Sequence, residues 1–239
     1  MSRIILVRHA QASFLEPNYD KLCATGEVQA RMLGEYWARR GVFFGRACSG
    51  PRVRQVRTAR MVEEAYRKLG REFPELAVMN EFDEYPGEAV LKAGLPRVLD
   101  KSQGVRDLHR AFESAKDSDE RKRSFQQMFE AVIGMWVSGE LVVDDVESWQ
   151  DFCARVDRGI ATIVNSEAPA DDSLVFTSGG PIGVAMRRAL HLSHADTLQL
   201  TWMSRNASFT EFLSSGDRFT LSTFNAHPHI EDEPLLTYR

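Results

Sequence analysis

Four groups of residues in this chain are of types that could handle a phosphoryl group. Arg8-His9 directly follows the apolar run Ile4 to Val7. A neutral imidazole nitrogen can attack phosphorus and form a covalent phosphohistidine, which splits one difficult displacement into two easier ones. The other ring nitrogen must then be held by an acceptor, commonly a backbone carbonyl, so that the attacking one keeps its lone pair. Arg8 and Arg54 carry planar, permanently charged forks that grip phosphate oxygens two at a time, which lysine does less well. Arg52 and Arg57 flank Arg54 but point elsewhere on the helix that Arg54 opens, and read as solvated helix charges. Glu81, Asp83 and Glu84 put three carboxylates within four residues. Mutual repulsion there would raise a pKa toward that of a general acid, although an exposed acidic loop has the same sequence. Ser178-Gly179-Gly180-Pro181 reads as a strand-to-helix turn, whose amides and positive helix end suit an anion or serve only a serine cap. An isolated Arg-His pair equally fits a hydrogen-bonded histidine at a strand end.

The elements that must position these groups are legible in the apolar pattern. Ile4 to Val7 is a buried parallel strand ending at Arg8, so His9 falls where open parallel sheets place their ligands. Gly26 to Arg40 is helical, with Ala30, Leu33 and Trp37 on one face and Gly41 as its stop. Phe43 to Ser49 returns as a strand. Val56, Ala59, Val62, Tyr66 and Leu69 then mark a helix closed by Gly70. Ala77 to Met79 is a third strand, and Trp149, Phe152, Val156, Ile160 and Ile163 mark a further helix. Leu174 to Thr177 is a strand, and Pro181 to Leu192 a helix with proline in its first turn. This alternation predicts an α/β three-layer sandwich with a mostly parallel central sheet flanked by helices. A single domain over 1–239 is expected, with about 88–145 inserted as a helical cap that would shape access to the site. Phe125, Met128, Phe129, Val132, Ile133 and Trp136 recur there at helical spacing, and the charged segment Lys116 to Arg123 reads as a solvated turn between two cap helices.

Taken together, several segments resemble the histidine phosphatase superfamily, which includes the cofactor-dependent phosphoglycerate mutases. They are Leu-Val-Arg-His-Ala-Gln from position 6, Leu22 with Gly26 and Gln29-Ala30, and Arg54 four residues before Thr58-Ala59. Asn80-Glu81-Phe82 resembles the family's acid-bearing segment, and Glu147-Ser148 through Arg155-Val156 its later helix. Thr177-Ser178-Gly179-Gly180 falls at its second histidine region, and Asn206 with Ser208 and Asn225 followed by His229 resemble its closing strands. The resemblance covers most of the chain apart from the cap and implies a phosphoglycerate mutase-like fold. It implies His9 as nucleophile, Arg8 and Arg54 as the phosphate clamp, and Ser178 and Gly179 at the phosphate. It also implies Glu81 as general acid, with Asp83 and Glu84 as rivals. One departure stands out: Ser178 occupies the position where the family usually has a histidine. Losing such a donor outright costs about 2.7–4 kcal/mol of barrier by analogy with oxyanion-hole deletions. The Ser178 hydroxyl and the amides of residues 178–180 could compensate. His227 and His229, one on either side of a proline near the end of the chain, read as surface residues and stay outside the catalytic set.

The leading reading is therefore a metal-independent phosphomonoester hydrolase acting on a small phosphorylated substrate through a phosphohistidine at His9. A catalytically weak phosphate-binding or regulatory module and a phosphoglycerate mutase-type phosphoryl transferase remain open. A serine hydrolase centred on Ser178 lacks the GxSxG elbow, and the six histidines show no HExxH or similar metal spacing, so no metal and no cofactor are expected. With 30 basic against 34 acidic residues and a formal charge of −4, nothing calls for a nucleic acid or an anionic membrane as partner. Cys23, Cys48 and Cys153 fit neither a disulfide framework nor a CxxC site. The opening segment has too short an apolar run for a signal-peptide core, and no run approaches a membrane span, so a soluble, cytoplasmic protein is expected. Oligomeric state is not legible, because an amphipathic cap helix packs on its own domain as readily as on a partner.

Overall fold

The apolar run that precedes Arg8 becomes β1 (Ser2–Arg8), whose last five residues are all buried. The computed structural model describes residues 2–13, 20–165, 172–215 and 218–238. After β1 come α1 (Ala24–Arg39), β2 (Arg46–Ser49), α2 (Val53–Lys68), β3 (Leu76–Val78) and a single 3-10 turn at Asn80–Phe82. Helices α3 (Gly87–Lys101), α4 (Gln103–Ser114), α5 (Ser118–Ser138) and α6 (Trp149–Val164) follow. The chain closes with β4 (Ser173–Thr177), α7 (Gly179–Leu190), α8 (His194–Met203), β5 (Phe209–Ser215) and β6 (Arg218–Ala226).

The six strands form one sheet in the order β3-β2-β4-β1-β5-β6. Pairings β1 with β4, β2 with β4 and β2 with β3 are parallel, while β5 runs antiparallel to both β1 and β6. The result is the mostly parallel α/β architecture that the alternation of strand and helix predicts. Ile5 and Val7 of β1 join Leu33 and Trp37 of α1, Val62 and Tyr66 of α2, and Leu174 and Phe176 of β4 in one core. Ile4 and Leu6 are equally buried, and strand alternation sends them to the opposite face, so both faces of β1 are covered. That double burial explains why β1 reads as a continuous apolar run and not as an alternating one.

Met1–Glu84 with Ala154–Arg239 form one compact unit, and Tyr85–Cys153 form a second. The second unit is helical and has its own aromatic centre, where Trp149 packs edge-on to Trp136 and Tyr85 and lies against Phe152. Three details differ from the sequence reading. The exposed segment Lys116 to Arg123 is a turn only at its start, where Lys116 and Asp117 join α4 to α5; Asp117 caps α5 by accepting from the amides of Asp119 and Glu120, and the charges after it belong to the first turns of that helix. Helix α7 begins at Gly179, two residues before Pro181, and ends at Leu190 with His191 in the left-handed region at φ 56°. Helix α8 was not anticipated. None of the described helices is long and apolar enough to cross a membrane. Among the described residues all three cysteines are free thiols.

Trp37 is 3% exposed and lies against Phe44 and Phe209, joining α1 to the sheet. We predict that Trp37→Ala destabilises the fold by about 3–5 kcal/mol, the range for deleting a large buried aromatic, as a lower denaturation midpoint at unchanged slope. A loss below 1 kcal/mol would show that this packing is not tight.

Candidate active site

The parallel register places the ends of β1 and β4 side by side, since Arg8 pairs with Thr177 and the His9 amide donates to the Thr177 carbonyl at 2.8 Å. His9 and Ser178 therefore emerge together at the carboxyl edge of the sheet, where α2 also begins. His9 is 5% exposed. Its Nδ1 lies 2.8 Å from the Ala10 carbonyl, which can only accept, so Nδ1 carries the hydrogen and Nε2 keeps its lone pair. Arg54 donates from Nε to that Nε2 at 3.1 Å. Burial, and after it the guanidinium groups of Arg54 and Arg8, push the His9 pKa well below its ordinary value of 6.5. The imidazole is thus neutral at neutral pH with its lone pair facing a cation, the state a nucleophilic histidine requires.

The backbone around His9 is held from the far side. The Ala207 amide donates to the carbonyls of Arg8 and His9 at 3.1 and 3.3 Å, and the Asn206 side chain donates to the His9 carbonyl at 3.2 Å. Ala207 has φ 57°, a conformation L residues seldom adopt, and it is fully buried. Asn206 is tied in turn to Thr237, and Gln29 donates to both Thr237 and the Leu235 carbonyl while accepting from the Gln11 amide at 2.9 Å. The end of the chain is therefore part of the scaffold under the histidine.

Arg8 is buried and donates to the Ser204 carbonyl. Arg54 sits in the first turn of α2, is 7% exposed at its side chain, and pairs with Asp20 at 2.7 Å. Asp20 also accepts from the Val53 amide, and Gln55 accepts from the Arg52 amide, so two of the amides at the open start of α2 have side-chain partners. Ser178 is fully buried, and its Oγ accepts from Gln55 Nε2 at 2.8 Å. Gly179 is buried against α8, and a Cβ there would lie 2.7 Å from the Thr201 carbonyl, so its lack of a side chain serves close packing. Arg52 pairs with Asp83, and Arg57 with Glu27 and Glu64, which keeps both away from His9 as the helix spacing implies.

The three carboxylates of the acidic segment separate. Glu81 Cβ faces α6, where a Cβ on Gly159 would come within 2.6 Å of it. Asp83 is held by Arg52 Nε at 2.6 Å. Glu84 Oε2 accepts from the Gly180 amide at 3.2 Å, at the amino end of α7 and two residues from Ser178. Only Glu84 is thereby tied to the turn that carries Ser178. Asp20, Gln55 and Arg155 also shape this region, and sequence reasoning gave none of them a role. Each is a polar residue whose significance depends on a partner 30 or more positions away, so no local spacing reveals it.

Residues 111–227 match the model of the histidine phosphatase superfamily (branch 1). That segment, just under half of the chain, is what matches the histidine phosphatase superfamily. The match begins downstream of His9 and Arg54, and solved structures extend the likeness over nearly the whole chain. Bacillus stearothermophilus YhfR aligns at 17% identity over 97% of this chain and 100% of its own, with a TM-score of 0.65. The mycobacterial glucosyl-3-phosphoglycerate phosphatase, solved with inorganic phosphate, aligns at 20% identity over 97% and 100%, with a TM-score of 0.60. Phosphoglycerate mutase from Bacillus anthracis aligns at 17% identity over 95% and 94%, with a TM-score of 0.58. At these identities the structures establish a common fold. No curated protein sequence is matched.

His229 departs from its reading as a surface residue: it is 6% exposed, and among the described residues neither ring nitrogen has a hydrogen-bond partner. Burial, with a smaller contribution from His227, lowers its pKa to about 3. The unfolded chain takes up a proton at this residue near pH 6.5 and the folded chain does not until about pH 3, so folding stability is lost as pH falls through that window. We predict that His229→Phe flattens the decline of unfolding free energy between pH 6 and pH 4 by up to about 1.4 kcal/mol per pH unit. Parallel wild-type and variant slopes in denaturation at several pH values would refute a buried neutral His229.

Proposed function

We propose that this protein hydrolyses small phosphate monoesters without a metal ion, through a phosphohistidine at His9. The observation that carries this reading is the His9 ring itself: Nδ1 is committed to the Ala10 carbonyl and Nε2 presents its lone pair to the Arg54 guanidinium. Arg8 and Arg54 supply the positive charge that a transferring phosphoryl group needs. The Ser178 hydroxyl already accepts from Gln55, which leaves its own hydrogen to donate to a phosphoryl oxygen in place of the usual histidine. We assign the general acid to Glu84, because its carboxylate lies at the Gly180 amide while Glu81 packs on α6 and Asp83 is neutralised by Arg52.

In the first step the Nε2 lone pair forms a bond to phosphorus as the bond from phosphorus to the ester oxygen breaks. Protonated Glu84 delivers its hydrogen to that oxygen, and the alcohol leaves. In the second step the Glu84 carboxylate takes a proton from water, whose oxygen attacks phosphorus. The bond from phosphorus to nitrogen then breaks, releasing inorganic phosphate and neutral His9 and returning Glu84 to its acid form. A mycobacterial neighbour with this fold is a phosphatase, which favours water over a second sugar acid as the final acceptor. The helical residues 88–145 we assign as a cap that selects the ester.

We predict that wild-type protein in chelator-treated buffer releases phosphate from a panel of monoesters, with an acid-labile phosphoryl group trapped on His9 by rapid quench. His9→Ala should abolish both. Glu84→Gln should lower kcat on alkyl phosphates by about 100-fold or more, and Glu81→Gln by no more than a few-fold. A folded wild type that binds phosphate but releases none from any ester would instead identify a binding module.

A further inference from the structure

The turn that delivers Glu84 is held by a residue outside the reacting groups. Arg155 of α6 donates from one guanidinium nitrogen to three carbonyls, those of Asn80 at 2.9 Å, Glu81 at 3.1 Å and Asp83 at 3.2 Å. These are the residues of the 3-10 turn and its exit, and Glu84 comes next in the chain. One helical turn beyond Arg155 stands Gly159, against which Glu81 packs so closely that a Cβ would sit 2.6 Å from Glu81 Cβ and 3.1 Å from the Phe82 ring. Residues four apart share a helix face, so Arg155 and Gly159 together make one seat for this turn. From its other side the Phe82 carbonyl accepts from the Thr177 hydroxyl at 2.8 Å and from Gln55 at 3.3 Å. Arg52 holds Asp83.

We propose that Arg155 is a positioning residue for the general acid: it gathers the carbonyls of the Asn80–Asp83 turn and so sets where the Glu84 carboxylate meets the leaving oxygen. This rests on the assignment of Glu84 made above. The physical case is that three carbonyl oxygens directed at one point repel each other unless a cation lies among them. A guanidinium can serve several acceptors at once, and its charge does not depend on pH. A displacement of about 1 Å in a catalytic group costs on the order of 100-fold in rate, so a residue that only sets the turn can govern proton delivery without touching substrate.

Proton donation matters in proportion to the basicity of the leaving oxygen, which separates this role from a merely structural one. The experiment measures kcat and KM for phosphate esters of a nitrophenol, a phenol and a simple alkyl alcohol, in wild type, Arg155→Ala, Arg155→Lys, Gly159→Ala and Glu84→Gln. Arg155→Ala should lose about 10- to 100-fold in kcat on the alkyl ester and less than about 3-fold on the nitrophenyl ester, with KM little changed. Arg155→Lys should recover part of the loss, and Gly159→Ala, which displaces the same turn from the same face, should show the same leaving-group dependence. Arg155→Ala added to Glu84→Gln should cost almost nothing further. Equal losses on all three esters, or a full Arg155→Ala effect in the Glu84→Gln background, would overturn the proposal. If Arg155→Ala does not fold, the Arg155→Lys and Gly159→Ala profiles decide by the same criterion. An inactive wild type would overturn the hydrolase reading, and a Glu84→Gln profile no steeper than wild type would overturn the acid assignment; both differ from a flat Arg155→Ala profile beside a steep Glu84→Gln one.

Discussion

The hydrogen bond from His9 Nδ1 to the Ala10 carbonyl is the constraint on which the rest of the site depends. A buried imidazole could present either nitrogen; this bond places the hydrogen on Nδ1 and leaves the lone pair on Nε2, where Arg54 donates to it. Two cations beside a buried histidine would be ruinous if the ring were charged. Burial and the guanidiniums of Arg54 and Arg8 all favour the neutral form, so the site is consistent with its own electrostatics only when His9 is unprotonated. The surrounding backbone keeps that bond in place. Ala207, in a conformation costly for a residue with a Cβ, and Asn206 both hold the His9 carbonyl, and the Thr237 and Gln29 contacts extend the brace to the chain's last residues.

A second constraint is the separation of charges in the acidic segment. Three carboxylates in four residues would repel if they shared one surface, but the side chains have different neighbours: Glu81 sets its Cβ against α6, Asp83 is held by Arg52 and Glu84 accepts from the Gly180 amide. Glu81 lies inside the 3-10 turn, and the chain leaves that turn extended at Asp83, which carries Asp83 and Glu84 away from it. The same turn is gripped through its carbonyls by Arg155, Thr177 and Gln55. Gln55 couples the two halves of the site, because it reaches Ser178 and the Phe82 carbonyl with the same amide. Ser178 is thus linked to the Asn80–Phe82 turn as well as standing at the start of α7.

The fold was legible in the sequence because its signals are periodic. Five buried residues at the end of β1, the 3.6-residue repeat of α1 and α2 and the return at β4 each follow from local pattern, and together they dictate a largely parallel sheet with His9 at its carboxyl edge. Errors gathered where local pattern is weak. The mixed charges of Lys116 to Arg123 look like a loop, yet Asp117 satisfies two open amides and lets α5 start immediately. Helix α8 mixes apolar and polar residues without gathering them on opposite faces, so its sequence carries little helical periodicity.

By itself, then, the sequence determined the ends of β1 and β4, the helical run of α2 and the residue types that meet there: a histidine, two arginines and a serine followed by two glycines. Only the tertiary structure decided which carboxylate joins them. Glu81, Asp83 and Glu84 have the same chemistry and nearly the same position in the chain, so nothing local distinguishes them. Their fates depend on Gly159, Arg52 and Gly180, each 30 or more residues distant in the chain and brought near by folding. The burial of His229 has the same origin: nothing local to the histidines flanking Pro228 foretells that one pairs with Arg205 and the other is buried with no polar partner among the described residues.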